Sequence, residues 1–264
     1  MTTTLAKTAA TPSKLGIAAT TKNALRRLLY PGLDLHTRNR ASLCRFWRTG
    51  PRDVLDAGSG NGYFSWLAYR SGARVVALNF DKGQTDKARD FLVGFLRCDP
   101  QRLSLEQRNL YDLDTEERRF DEIICYETIE HIRDDRRIAR EFYRLLRPGG
   151  RLHLCAPNAE HPRHQAEILD LNEVGGHVRA GYTLQSYREL LEPLGFRIKT
   201  TAGIGPWNLY LMDEVLRWFR TRIGEWSAVP LLILALPLVW TARRDPEAPY
   251  SLYVCAEKPA HAGS

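Results

Sequence analysis

Short apolar runs alternate with amphipathic segments along most of this chain. The runs that predict strands cover residues 53–55, 74–78, 103–106, 122–126, 151–155, 195–198 and 251–256. Residues 135–147 place Ile138, Phe142 and Leu145 at helical spacing before Pro148-Gly149-Gly150, which ends a helix. A second helix is expected over residues 183–194. This alternation predicts an α/β fold with a doubly wound, mostly parallel seven-stranded sheet.

The pattern also divides the chain. Residues 1–21 are small and polar and contain no acid, which predicts a disordered tail. A core is expected over residues 22–204, and its first part, 23–47, indicates two short helices broken at Pro31-Gly32. A helical insertion of different composition occupies 205–248, and 249–264 holds the last strand and a tail.

A glycine-rich turn follows the first strand, with the sequence Asp56-Ala57-Gly58-Ser59-Gly60-Asn61-Gly62. Glycines at alternate positions allow a sharp turn and a close ligand, and ligands of open α/β sheets bind beyond the carboxyl ends of the strands. The dinucleotide spacing G-x-G-x-x-G would need a glycine at Tyr63. A nicotinamide dehydrogenase is therefore disfavoured.

This turn resembles the first motif of class I S-adenosylmethionine (SAM)-dependent methyltransferases. The run Leu145-Leu146-Arg147-Pro148-Gly149-Gly150 resembles the turn before the fifth strand of the same family. The resemblance implies a Rossmann-like fold with SAM as cofactor, and Arg40 or its neighbour Arg38 stands where relatives carry an arginine that meets the SAM carboxylate. The cofactor residues that it implies are Arg40, Asp56, Gly58, Gly60, Asn79, Phe80, Asn109, Leu110 and Tyr126.

Two of these positions depart from the family pattern. Asn79 stands where the family has an acid that binds the ribose hydroxyls, and Asn109 stands where it often has an acid that accepts from the adenine amine. An amide keeps a hydrogen-bond acceptor but carries no charge. Asp81 is nearby, but Gln84 follows it at the spacing of a helix start, which predicts a capping role for Asp81.

A cluster of potential metal ligands follows the fourth strand, Glu127-Thr128-Ile129-Glu130-His131. If a helix begins here, Glu127, Glu130 and His131 share one face. The E-x-x-E-H string resembles that of metal-dependent O-methyltransferases of ubiquinone biosynthesis and of small-RNA 3′-end methylation. By that resemblance, His177 is a fourth ligand, because it follows Pro157-Asn158-Ala159-Glu160 and precedes Tyr182-Thr183.

The expected ion is Mg²⁺, which would lower the pKa of an acceptor hydroxyl and orient it. The alternative is that the Glu-His pair only packs and caps, in which case His131 or His177 is the general base. Glu127 is the third candidate catalytic residue. Residues 157–182 also hold His161, Arg163, His164 and Arg179, and such a long segment predicts either a functional lid over the methyl donor or a solvated loop.

The composition of the chain bears on its binding partners and its cellular compartment. A net charge of +7 and a pI near 9.3 favour an anionic partner or reflect a general arginine richness. The five cysteines have no paired spacing, which predicts reduced thiols in a cytoplasmic protein without a zinc site, and no signal-peptide pattern is present.

The insertion combines an amphipathic segment with an uncharged one. Its apolar stripe of Leu211, Met212, Val215, Leu216 and Phe219 lies beside Arg217, Arg220 and Arg222. The uncharged run 226–242 is too short for a spanning helix and is interrupted by Pro230 and Pro237. It predicts either contact with the inner membrane face or a lid or homodimer face that shields a lipophilic acceptor.

These features together predict a SAM-dependent methyltransferase that methylates a hydroxyl of a lipophilic small molecule or lipid-linked acceptor. An RNA 3′-end 2′-O-methyltransferase is one alternative, disfavoured because no aromatic and basic stacking platform for nucleic acid is evident. A SAM-binding or membrane-scaffold protein without catalysis is the other, since Asn79 and Asn109 replace acids.

Overall fold

A computed structural model of the chain describes residues 23–24, 26–27, 29–165, 169–170, 176–241 and 246–260. Seven strands form one sheet in the order β3-β2-β1-β4-β5-β7-β6, in which β7 alone runs antiparallel to its neighbours. Helices cover both faces, as predicted. The predicted tail, residues 1–21, lies outside the described residues.

Six strands contain the predicted runs and extend them by one or more residues, whereas β6 begins at Arg197, two residues after the start of its predicted run, and continues to Ile204. Their bounds are β1 Asp53–Ala57, β2 Arg74–Asn79, β3 Leu103–Gln107, β4 Phe120–Tyr126, β5 Leu146–Pro157, β6 Arg197–Ile204 and β7 Ser251–Glu257. The main difference is in β5. Pro148-Gly149-Gly150 was expected to precede the strand, yet it lies inside β5, where the register with β4 shifts between Phe120 and Glu122. The irregularity lets a proline sit in a strand.

Both helices whose bounds were predicted are present: residues 135–147 contain a helix at Asp135–Leu145, and residues 183–194 contain one at Leu184–Leu191 followed by a 3-10 turn. A first helix, α1, includes residues 23, 24, 26, 27 and 29, and those that follow are α2 Leu35–Arg40, α3 Tyr63–Arg70, α4 Lys82–Arg89, α5 Asp135–Leu145, α6 Pro162–Gln165, α7 Leu184–Leu191, α8 Trp207–Arg222 and α9 Ala228–Thr241. Asp81 caps α4 by accepting from the Gln84 amide at 2.8 Å, as predicted. Thr183 and Ser186 form a reciprocal capping box at α7.

Each sheet face buries its own apolar cluster. One cluster centres on Ile123, Phe142 and Tyr187, and the other centres on Val54, Val75 and Tyr253. A third cluster lies away from the sheet, where Leu35 of α2 packs against Leu209 and Leu216 of α8 and Leu232 of α9. The insertion is therefore a helical hairpin, α8–α9, that rests on α2. Within the described part of the chain, none of the helices combines the length and apolar character needed to cross a bilayer.

A buried polar network joins the sheet to the segment before it. Glu122 on β4 accepts from the Arg52 guanidinium at 2.5 Å and from the Arg48 amide at 2.8 Å. His153 on β5 lies 3.2 Å from the same carboxylate and 2.7 Å from the Tyr253 hydroxyl. All five cysteines are free thiols, and four of them are buried.

Candidate functional site

The turn after β1 is shaped by the absence of side chains. Gly58 has a φ of 84°, and its amide donates to the Leu78 carbonyl at 2.9 Å, which joins the turn to the end of β2. A Cβ at Gly58 would lie 2.2 Å from Thr128 Oγ1, whereas one at Gly60 would meet nothing within 4 Å. Gly58 thus permits the close approach of the loop that follows β4.

These loops enclose a cavity of about 410 Å³ at the carboxyl ends of β1, β2 and β4. Eight predicted site residues line it, and they are Gly58, Gly60, Asn79, Phe80, Asn109, Leu110, Glu127 and His131. The lining also contains six residues that were not predicted as site residues, namely Leu78, Gln84, Arg108, Tyr111, Thr128 and Ile132. Gln84 was recognised only as part of a helix start, although the first turn after β2 necessarily faces the same edge of the sheet.

The two asparagines of the cavity already make contacts. The Asn79 amide donates to Gln84 Oε1 at 3.4 Å, which leaves its carbonyl oxygen directed elsewhere. The Asn109 carbonyl accepts from the Tyr111 amide at 3.0 Å and so caps a short 3-10 helix. A carbonyl oxygen has a second lone pair, so Asn109 keeps acceptor capacity for an adenine amine. Phe80 is 65 % exposed and offers a ring face to a planar ligand.

Three residues predicted to bind the cofactor lie outside the cavity lining. Asp56 accepts from the Ser65 hydroxyl at 2.5 Å and joins β1 to α3, and burial raises the pKa of its carboxyl to about 6. Tyr126 is buried and accepts from Trp47 Nε1 at 3.1 Å. The third is Arg40, whose position is described next. Their residue types were compatible with a ligand, but their side chains serve the protein interior.

The buried Arg40 forms an ion pair with the partly exposed Glu127. The two side chains meet at 2.8 Å, and Ser251 Oγ lies 3.2 Å from the second Glu127 oxygen. Burial opposes the charge on Arg40, but the Glu127 carboxylate raises the pKa of the guanidinium above its ordinary value. Arg38, the neighbouring candidate, instead donates to the Gly32 carbonyl at 2.8 Å. Neither arginine lines the cavity.

Glu130, His131 and His177 form a cluster beside the cavity. Their potential ligand atoms all lie within 4.8 Å of one another. The Glu130 side chain is fully buried, and neither of its oxygens has a hydrogen-bond partner among the described residues. Burial, and then the Glu127 carboxylate, raise the pKa of Glu130 well above its usual value. His131 also lines the cavity, so the cluster adjoins it directly.

The histidine tautomer in this cluster follows from a backbone contact. His131 Nδ1 lies 2.9 Å from the Gly176 carbonyl, which can only accept, so Nδ1 carries the proton and Nε2 has the lone pair. Nε2 of His131 and Nε2 of His177 each lie 3.9 Å from Glu130 Oε1. A backbone carbonyl that accepts from one ring nitrogen is the usual setting of a histidine that binds a metal through the other nitrogen. The donor set therefore fits a divalent cation.

The expectation that a helix places Glu127, Glu130 and His131 on one face is wrong. Glu127 has a φ of 49°, in the left-handed region, and only a short 3-10 turn, Ile129–His131, follows it. The chain therefore turns between Glu127 and Glu130, and Glu127 is held by Arg40 instead. The structure brings together three of the four predicted ligands.

The segment after β5 packs against the hairpin. His161 and His164 are buried rather than solvated, and their rings lie 5.3 and 4.4 Å from the ring of Tyr250. Trp207 and Tyr210, in the first turn of α8, lie 5.7 and 5.8 Å from His161. Tyr250 directly precedes Ser251, which contacts Glu127. The base of the hairpin thus adjoins the part of the site that contains Glu127.

Comparison with known proteins identifies the family. A family model described as a methyltransferase domain matches residues 32–201, which together with the fold and the cavity shows that this chain belongs to the class I SAM-dependent methyltransferases. A Mycolicibacterium smegmatis protein named as a probable S-adenosylmethionine-dependent methyltransferase is 28% identical over 164 residues, which are 60% of this chain and 56% of that protein. A ubiquinone biosynthesis O-methyltransferase of Coxiella burnetii is 28% identical over 109 residues, 40% of this chain and 44% of that enzyme.

Solved structures support the same fold. Phosphoethanolamine N-methyltransferase 2 of Haemonchus contortus, in complex with SAM, superposes with a TM-score of 0.59 at 18% identity, over 84% of this chain and 52% of that one. The matches span about half the length of these relatives. At this identity the superposition establishes the fold alone.

Proposed function

We propose that this protein transfers the methyl group of SAM to a hydroxyl oxygen of a lipophilic acceptor, assisted by a divalent cation held by Glu130, His131 and His177. The observation that carries the proposal is the buried Glu130 carboxylate. A carboxylate without hydrogen-bond partners is costly in a protein interior, and two imidazoles within 4.8 Å offer the remaining ligands of a cation that would offset this cost.

The cavity residues supply the binding of the cofactor. Gly58 and Gly60 leave room for the methionine part, Asn79 offers a carbonyl oxygen to the ribose, and Phe80 offers a ring to the adenine. The sulfonium of SAM provides the methyl electrophile. Because the acceptor oxygen attacks the methyl carbon in line with the departing sulfur, the residues around it must hold the two atoms in register and keep water out.

The cluster supplies the proton chemistry. A divalent cation, when bound, lowers the pKa of a coordinated hydroxyl. The acceptor hydroxyl loses its proton as the O–CH₃ bond forms and the S–CH₃ bond breaks, and the products are a methyl ether, S-adenosylhomocysteine and one proton. Because the lone pair of His131 Nε2 would be shared with the cation, the proton passes to solvent water; with no cation bound, His131 Nε2 would take it as a general base. Imidazole ligands favour Mn²⁺ more than Mg²⁺, so the proposal covers both ions.

Two observations support the proposal that the acceptor is a lipophilic molecule with a hydroxyl group. A relative that is 28% identical over 109 residues is named for O-methylation in ubiquinone biosynthesis. The aromatic side chains of Trp207, Tyr210 and Tyr250 pack together next to Ser251, which contacts Glu127 in the cavity lining. An acceptor that partitions into lipid would reach the site from this side.

The test separates cation binding from turnover. Glu130→Gln keeps the side-chain shape, so SAM affinity measured by calorimetry should stay within about twofold, while Mn²⁺ binding followed by electron paramagnetic resonance should be lost. Glu160→Gln, an exposed glutamate of the segment after β5, is the control and should bind Mn²⁺ as the parent does. Release of S-adenosylhomocysteine should depend on lipid extract and be abolished by EDTA. Mn²⁺ binding that survives Glu130→Gln, or turnover that requires RNA instead, would contradict the proposal.

A further inference from the structure

Exposed apolar side chains are concentrated on the α8–α9 hairpin. The described residues include eleven exposed large hydrophobic side chains, and eight of them lie between Trp207 and Leu234. They are Trp207, Leu211, Val215, Trp218, Ile223, Trp226, Ile233 and Leu234. Single exposed apolar residues are normal on a protein surface, but a concentration of this kind marks an interaction site.

The exposed residues form continuous stripes. Trp207, Leu211, Val215 and Trp218 are spaced by four, four and three residues, so they follow one side of α8. On α9, Ile233 and Leu234 lie between the exposed Pro230 and Pro237, and no charged residue occurs in this helix. The opposite sides of both helices already pack on Leu35. These outward stripes are therefore additional to the faces that hold the hairpin together.

Exposure is greatest at the tip, where the two helices are joined. Trp218, Ile223 and Trp226 are 54%, 63% and 72% exposed. Residues 217–226, which span the tip, hold three arginines, Arg217, Arg220 and Arg222, and one acid, Glu225. Tryptophan with adjacent arginine suits the boundary between lipid headgroups and acyl chains, because the indole partitions there and the guanidinium contacts phosphate.

We propose that the tip formed by Trp218, Ile223 and Trp226 inserts into the headgroup region of an anionic bilayer, with Arg220 and Arg222 contacting lipid phosphates. A net charge of +7 complements such a surface. A second copy of the chain is the weaker alternative, because the most exposed residues lie at the projecting end of a hairpin, where a partner would need a matching recess. The proposal is independent of the methyl-transfer chemistry.

The hairpin is joined firmly enough to orient the site toward the membrane. Asp213 of α8 accepts from the Leu35 amide at 3.0 Å, and Asn39 of α2 accepts from the Gly205 amide at 3.0 Å. Arg40, the last residue of α2, pairs with Glu127 in the cavity. Insertion of the tip would therefore hold the acceptor side at a set distance from the lipid.

The experiment is co-sedimentation with vesicles in the absence of SAM and acceptor. The full chain should bind vesicles of equal parts phosphatidylcholine and phosphatidylglycerol, and bind weakly to phosphatidylcholine alone. Trp218→Ser, Ile223→Ser and Trp226→Ser together should reduce the partition coefficient at least about tenfold, since three large side chains lose their transfer into the interface. Arg220→Gln with Arg222→Gln should reduce binding to anionic vesicles while leaving the weak neutral binding unchanged.

A matched control uses exposed leucines elsewhere. Leu169→Ser with Leu184→Ser removes two apolar side chains that are each 40% exposed and lie off the hairpin, and this variant should sediment like the parent. Calorimetric binding of SAM checks that the tip variant is folded. The proposal is overturned if the parent chain stays in the supernatant or if the tip variant binds as tightly. It is also overturned if the tip substitutions change only the mass measured by light scattering, which would assign the surface to a second copy.

Discussion

Two glycines of the same turn provide a sharp test of how the site is assembled. Both Gly58 and Gly60 have positive φ, 84° and 52°. Alanine at either position has the strain of a left-handed residue, about 1–2 kcal/mol. Only at Gly58 does the added Cβ also meet a neighbour, with Thr128 Oγ1, Cγ2 and Cβ at 2.2, 2.3 and 2.8 Å.

The extra contact cannot be relieved by a side-chain rotation alone. Turning Thr128 about χ1 moves Oγ1 and Cγ2, but its own Cβ would remain too close at 2.8 Å. The loop after β4 must therefore move, at an overpacking cost of about 1–3 kcal/mol. We expect Gly58→Ala to lower the free energy of unfolding by about 2–5 kcal/mol and Gly60→Ala by about 1–2 kcal/mol.

The assay is urea unfolding of the SAM-free protein, which keeps ligand effects out of the comparison. Combining Gly58→Ala with Thr128→Ala removes two of the three close contacts, so the double variant should lose less stability than the sum of the single losses, by at least about 1 kcal/mol. Equal losses for the two glycine variants, or strict additivity in the double variant, would refute the idea that the turn and the loop after β4 are packed without spare space.

Two further predictions concern buried charges. Glu122→Gln should lower the free energy of unfolding by about 3–5 kcal/mol, because the Arg52 guanidinium loses its buried counter-ion. The control is the same substitution at the half-exposed Glu106, which should lower the free energy of unfolding in urea by less than about 1 kcal/mol. Comparable losses at the two positions would refute the role of burial. Asp56→Asn should raise the free energy of unfolding at pH 7.5 by roughly 2–3 kcal/mol. The reason is that the pKa of the Asp56 carboxyl is about 6 in the folded state and 3.8 ordinarily, so ionisation of this carboxyl as the pH rises destabilises the folded parent protein. Asparagine does not ionise and avoids this loss. The gain of Asp56→Asn should vanish near pH 3.5, where both proteins are uncharged at this position, and a gain independent of pH would contradict the assignment.

Much of the fold could be predicted from local patterns. Apolar periodicity and residues that stop helices predicted the seven strands, the helix that ends directly before Gly195 and the break at Pro31-Gly32. The location of the cavity beside the glycine turn could also be predicted, because the carboxyl ends of parallel strands meet at one edge of the sheet. In β5 the pattern was misleading, since the register shift that admits Pro148 depends on the pairing with β4.

The residue sequence by itself determined the chemistry available: a glycine turn, an E-x-x-E-H string, a distant histidine and an amphipathic insertion. Only the tertiary structure decided which side chains meet. It paired Arg40 with Glu127, directed Asp56 into the interior, brought Gly176 to His131 across 45 residues, and packed the hairpin on α2. The physical reason is that periodicity encodes hydrogen bonds and faces within an element, whereas the partner of a buried charge depends on contacts between elements far apart in the chain.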